Sequence, residues 1–146
     1  MSRLFQVWFA FVLLWLVSIP TRAHGAGPDK KSIYMGAVSC RPCHLSPKSG
    51  AQFKVWQAGP HARAYRTLAS QQAAALAKRL GIAEPQSSPR CLKCHVTAFG
   101  VESNLKSPKL TLEEGVSCEA CHGPGSRYRG RKVMREIASG KRVGTD

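Results

Sequence analysis

Six cysteines and three of the five histidines in this 146-residue sequence fall into three copies of one five-residue pattern. The copies are Cys40-Arg41-Pro42-Cys43-His44, Cys91-Leu92-Lys93-Cys94-His95 and Cys118-Glu119-Ala120-Cys121-His122. The spacing C-x-x-C-H is the attachment signature of a c-type haem. Two cysteines three positions apart each form a thioether to one vinyl group of the porphyrin. The histidine that follows supplies the proximal imidazole to the iron. The sequence therefore predicts three covalently bound haem c groups, with His44, His95 and His122 as iron ligands.

Other uses of paired cysteines fit less well. Four thiolates around one tetrahedral zinc would consume two of the pairs and leave the third unexplained. They would also leave unexplained a histidine at the same offset in all three copies. A thioredoxin-like site expects one C-x-x-C beside a βαβ pattern, which this sequence lacks. Disulfides within C-x-x-C would close very small loops and stabilise little, because the loop-closure term grows with loop length.

Each iron then needs a sixth ligand, and two histidines remain, His24 and His61. His61 follows a helical segment and lies far enough along the chain from His44 to reach a neighbouring haem, so it is the expected distal ligand. His24 falls near the start of a mature chain. Met35 and Met134 are further sulfur donors, although methionine is more often packing filler. By counting, at least one iron lacks a histidine sixth ligand from this chain.

The elements that must position these residues read as short helices broken by Gly and Pro. A helix is predicted over 49–58, with Phe53 and Trp56 three apart on one face. Gly59-Pro60 ends it and starts a second over 60–69. The alanine-rich stretch 71–80 is helical and closed by Gly81. A loop over 83–89 leads into the second motif, and an irregular connection covers 100–114. Gly123-Pro124-Gly125 stops the third motif, and a last helix is predicted within 127–139. The fold class is mainly α with extensive irregular structure and no sizeable sheet, a compact domain organised around three haems. Without those groups the chain is not expected to fold stably.

Residues 1–23 read as a cleavable signal peptide: Arg3, an apolar run over 4–19 and small residues before a cut after Ala23. The run is shorter than the roughly 20 residues that span a bilayer, so export to the periplasm is expected rather than anchoring. Residues 24–35 form a lead-in, 36–139 the haem domain and 140–146 a tail. The formal charge is +14, and loss of Arg3 and Arg22 would leave 20 Lys and Arg against 8 acidic residues, a formal +12. Haem propionates offset part of this excess. The rest is densest in the tail at Arg127, Arg129, Arg131, Lys132, Arg135, Lys141 and Arg142, and points to an acidic redox partner or an anionic membrane surface. Nucleic acid is the usual partner of such a composition, but an exported haem protein does not meet it.

The order of residues also resembles a known family. It runs Cys40-x-x-Cys43-His44, Trp56, His61-Ala62-x-Ala64, Cys91-x-x-Cys94-His95-Val96-x-x-Phe99-Gly100. It continues Gly115-Val116-x-Cys118-Glu119-x-Cys121-His122-Gly123-Pro124-Gly125. This is similar to the tetrahaem cytochrome c-554 family over about Gly36 to Gly130. The resemblance implies a mainly helical fold, haems packed in close pairs and electron transfer as the function. It further implies that His61 ligates the haem of the third motif, and that the haem on Cys91 and Cys94 has an open sixth position. Two departures stand out. The family's fourth haem motif is missing, and the histidine expected after the Gly-Pro-Gly block as distal ligand to the first haem is replaced by Arg129-Gly130-Arg131-Lys132-Val133-Met134. The first haem is then five-coordinate or takes Lys132, Met134 or a group from a partner. The chain is then expected to be either a shortened family member or a fragment whose fourth haem lies on another polypeptide.

The expected function is a periplasmic triheme cytochrome that carries single electrons between redox partners. Two alternatives belong to other classes: a haem enzyme reducing a small ligand such as nitric oxide or peroxide at an open iron, and a subunit of a larger multihaem complex.

Overall fold

The computed structural model describes residues 31–142; the signal peptide read at 1–23 and His24 lie outside them. Among the described residues seven short α-helices follow one another: α1 Arg41–His44, α2 Gln52–Ala58, α3 Ala64–Thr67, α4 Gln71–Arg79, α5 Pro89–His95, α6 Glu119–His122 and α7 Arg131–Ala138. Five 3-10 turns fill gaps between them, including His61–Arg63 directly before α3. Among the described residues β structure is limited to one isolated parallel bridge between Tyr34 and Lys106. The mainly helical, irregular class expected from the sequence is the one observed.

Local chemistry explains why the helices are short. Ser70 caps α4 by accepting from Ala73 N, and Gly81 with φ 65° turns the chain after it. Pro89 opens α5 at a position where its missing N–H costs nothing, so the second motif lies on a helix that starts inside the predicted loop. Gly123, at φ 72°, ends α6 immediately after the third motif. The predicted helix over 60–69 divides into the 3-10 turn at His61–Arg63 and α3. Phe53 and Trp56 do share a face of α2, with ring centroids 5.3 Å apart.

The apolar core is small. Leu68, Leu92 and Val96 form its buried cluster, with Tyr65 and Cys91 packed against it. Polar bonds do much of the remaining work. Glu119, 2 % exposed, is the largest fully buried side chain among the described residues. Its carboxylate accepts from the backbone N–H of Met35 at 2.8 Å, Gly36 at 2.8 Å and Gly125 at 2.6 Å. Ala37 N donates in the same way to Glu114 at 2.9 Å. Ile33, Tyr34 and Met35, assigned by sequence to the lead-in, are thus held by Ser126, by Leu105 and Ser107, and by Glu119.

A second polar node joins the second and third motifs. Thr97, two residues past His95, is buried; its N–H donates to Gly115 O at 2.9 Å, and its hydroxyl accepts from Ser117 N at 2.7 Å. Trp56 Nε1 donates to Val116 O at 2.8 Å, and Val116 N donates to His61 O at 3.0 Å. Gly115 must be glycine here. It adopts φ 65°, and a Cβ would meet His61 O at 2.6 Å.

Candidate haem sites

The first and third motifs open on one hollow. Its larger part, about 510 Å³, is lined by Cys40, Cys43 and His44 together with Glu119, Tyr128 and α7. Its narrower part, about 440 Å³, is lined by Cys40, His44, Cys118, His122, Phe53 and Met134. Cys40, His44, Tyr128 and Met134 border both parts. The Cys40 and Cys118 thiols interact with each other, which pushes Cys40 up and holds Cys118 down at about 7. Once both sulfurs are thioethers neither titrates, so this coupling belongs to the thiol form of the chain.

The second motif opens elsewhere, on a cavity of about 360 Å³ lined by Cys91, Cys94 and His95. Its other walls include Leu68, Leu76, Leu80 and Ile82. It touches the apolar cluster of the domain at Leu68 and Cys91, while the hollow shared by the other two motifs is bordered by α7 and the Glu119 node.

Three observations fit these residues to haem. All six cysteines are free. Each motif borders a largely apolar cavity of the size that holds small cofactors, about 300–1,000 Å³. Two of the motif histidines are already oriented: His95 Nδ1 lies 2.8 Å from Ala64 O and His44 Nδ1 lies 3.2 Å from Gln52 Oε1. A carbonyl oxygen only accepts, so Nδ1 carries the proton in each ring and Nε2 keeps its lone pair for a metal. Such a bond also fixes the ring and raises its basicity as a ligand.

The charges around the shared hollow are arranged by sign. Arg129, Arg131 and Arg135 border its larger part, where they complement haem propionates as forked, permanently charged donors. Part of the basic tail thus borders the first motif while staying exposed to solvent. Lys132 points away; it is 90 % exposed and lies 4.0 Å from Glu136 one turn on. Burial pushes Glu114 up, with the neighbouring Glu119 charge adding to it. Burial likewise pushes Tyr128 up to about 12, so it remains a donor to Gly123 O at 2.9 Å.

His61 has an exposed side chain, and its backbone is bonded to Val116, two residues before Cys118. Glu119, Thr97 and Gln52 carry site geometry that sequence reasoning did not assign. The place of Glu119 among the residues that carry the family resemblance was the one signal in the sequence that could have exposed it.

The family described as "Cytochrome c554 and c-prime" matches residues 28–123 of this sequence. The chain belongs to that family. A relative described as cytochrome c-554, from Nitrosomonas europaea, is 34% identical over 102 residues, covering 66% of this chain and 41% of the relative. The chain thus spans less than half the length of that relative. No solved structure matches the chain. As a member of the family it is a c-type cytochrome with covalently bound haem c, and the three motifs at Cys40 and Cys43, Cys91 and Cys94, and Cys118 and Cys121 fit three such groups. When bound, each haem supplies an iron that changes oxidation state by one electron.

Proposed function

We propose that this chain is an exported triheme carrier of single electrons, in which the first and third haems form one unit and the second stands apart. The observation that carries this reading is the hollow common to Cys40, His44, Cys118 and His122. Its residues would hold the first and third haems, with Phe53 and Ile137 excluding water and the bordering arginines neutralising propionates. His95, fixed by Ala64, would hold the second iron. Residues 1–23 direct the chain out of the cytoplasm, and no helix among the described residues is long and apolar enough to cross a membrane.

His61 is the distal ligand of the third haem in this reading, supported by the bond between its carbonyl and Val116. The His61→Ala protein is expected to keep three haems by mass and to convert one iron from low to high spin in its electron paramagnetic resonance spectrum. An unchanged spectrum would remove His61 from the ligand set.

Partners are acidic redox proteins, met through exposed cations such as Arg127, Lys132 and Lys141, with anionic membrane as a further peripheral contact. Exposed charges are screened beyond roughly 8 Å at physiological ionic strength. Association with an acidic partner should therefore slow steeply as salt is raised, and exchange of Lys132 and Lys141 for glutamate should slow it at low salt, because rim charges act on the on-rate. Stopped-flow reduction by a negatively charged donor protein measures both effects. A salt-independent rate would remove the docking role.

A second reading, reduction of a small ligand such as nitric oxide at the second haem, is favoured by one observation. Leu68, Leu76, Leu80 and Ile82 face the His95 cavity and carry no atom that binds iron, leaving room for a small apolar ligand. Turnover of nitric oxide that is insensitive to salt would support it over the carrier.

A further inference from the structure

We propose that Met134 Sδ is the sixth ligand of the first haem iron, giving that haem histidine–methionine coordination with His44. This rests on the haem reading of the shared hollow and assigns the position left open where the family has a histidine.

The argument starts from α7. Arg131, Met134, Arg135 and Ala138 stand at i, i+3, i+4 and i+7, one face of a helix, and all four border the larger part of the hollow. Lys132 and its partner Glu136 lie off this face, and Lys132 reaches into solvent, so its amine is not available to the first iron. Met134 is half-buried between the charged rows, and it borders both parts of the hollow together with His44. The two axial ligands of a haem approach from opposite faces. His44 arrives on α1 beside the cysteines, and Met134 arrives on a separate helix, as a trans ligand must.

The other donors at the hollow are already committed or unsuited. His44 and His122 are the proximal ligands of their own motifs. Tyr128 holds its proton and donates to Gly123. Arginine does not deprotonate in proteins. Lys48 follows His44 by four residues, on the same stretch of chain. Met35 also borders the larger part, but its backbone is held by Glu119 and its side chain rests against Gly125. Its segment runs directly into Cys40, with Ser39 Oγ donating to Met35 O at 3.0 Å, so it belongs to the wall that carries the cysteines.

Thioether ligation raises haem potential relative to a second imidazole. The first haem is then the high-potential member of the pair it forms with the third, and the electron sink of that pair lies beside α7.

The test uses the mature protein carrying its haems. Mass spectrometry first counts them. The oxidised protein should then show the long-wavelength charge-transfer band of a thioether-ligated ferric haem. Met134→Leu, which preserves volume, should abolish the band and convert one low-spin iron to high spin, while Met35→Leu should change neither. Met134→His should restore the low-spin iron without the band and lower the potential of that haem in a redox titration. Three haems with no band, or a band that survives Met134→Leu, would overturn the assignment alone. Fewer than three haems would overturn the reading of the hollow and this assignment with it.

Discussion

Replacing Glu119 by alanine should abolish the native state around the first and third motifs. The carboxylate accepts from three separate backbone N–H groups, those of Met35, Gly36 and Gly125. None of them would have another acceptor after truncation. Each stranded donor costs about 1–3 kcal/mol, and a whole domain is stable by only about 5–15 kcal/mol. Glu119→Gln keeps the shape and one acceptor oxygen, so it should be less damaging while turning an amide NH2 toward backbone donors. Thermal unfolding followed by far-ultraviolet circular dichroism ranks the three proteins. A melting temperature for Glu119→Ala equal to that of the parent would show that the carboxylate is not a keystone.

Withholding haem should have an effect as large. Buried apolar side chains among the described residues are Ala37, Phe53, Ala62, Leu68, Ala77, Leu92, Val96 and Tyr128, three of them alanine. Fully burying a large apolar side chain contributes about 1.5–3 kcal/mol, whereas ordering each backbone residue costs about 1–2 kcal/mol. Five large side chains cannot offset that cost over a domain of this length. The porphyrin faces would supply the missing apolar surface in the cavities beside the three motifs. The chain produced without haem attachment should lack near-ultraviolet dichroism and exchange its amide hydrogens freely. A cooperative unfolding transition of the haem-free chain would contradict this.

The attachment residues were legible because haem chemistry dictates both their types and their spacing. The helical character of 71–79 and the Phe53–Trp56 pair were legible from local propensity and period. Glu119 was not, since the two inner positions of the motif are free as far as haem attachment is concerned; its role arises from chain far away in sequence. The same holds for Thr97 and for the meeting of Cys40 with Cys118, which only long-range closure creates. The face Arg131, Met134, Arg135 and Ala138 was present in the sequence as a helical period. Charge alone assigned those arginines to an outer surface; Arg131 and Arg135 are indeed exposed, and what charge did not show is that they also border the first motif.

The node at Thr97, Gly115 and Ser117 bears on how this chain can vary. The second and third motifs are separated in sequence by a long irregular connection, yet the bonds from Thr97 to Gly115 and Ser117 set their spacing in space. Loop closure grows costlier only slowly with length. Extra residues inserted between Gly100 and Ser103, where the chain is exposed, would leave that spacing intact. One methyl group at Gly115 would not, because it would strike His61 O. Evolutionary latitude here is thus set by the node: whole insertions are tolerated in the connection, and a single carbon is refused at its anchor.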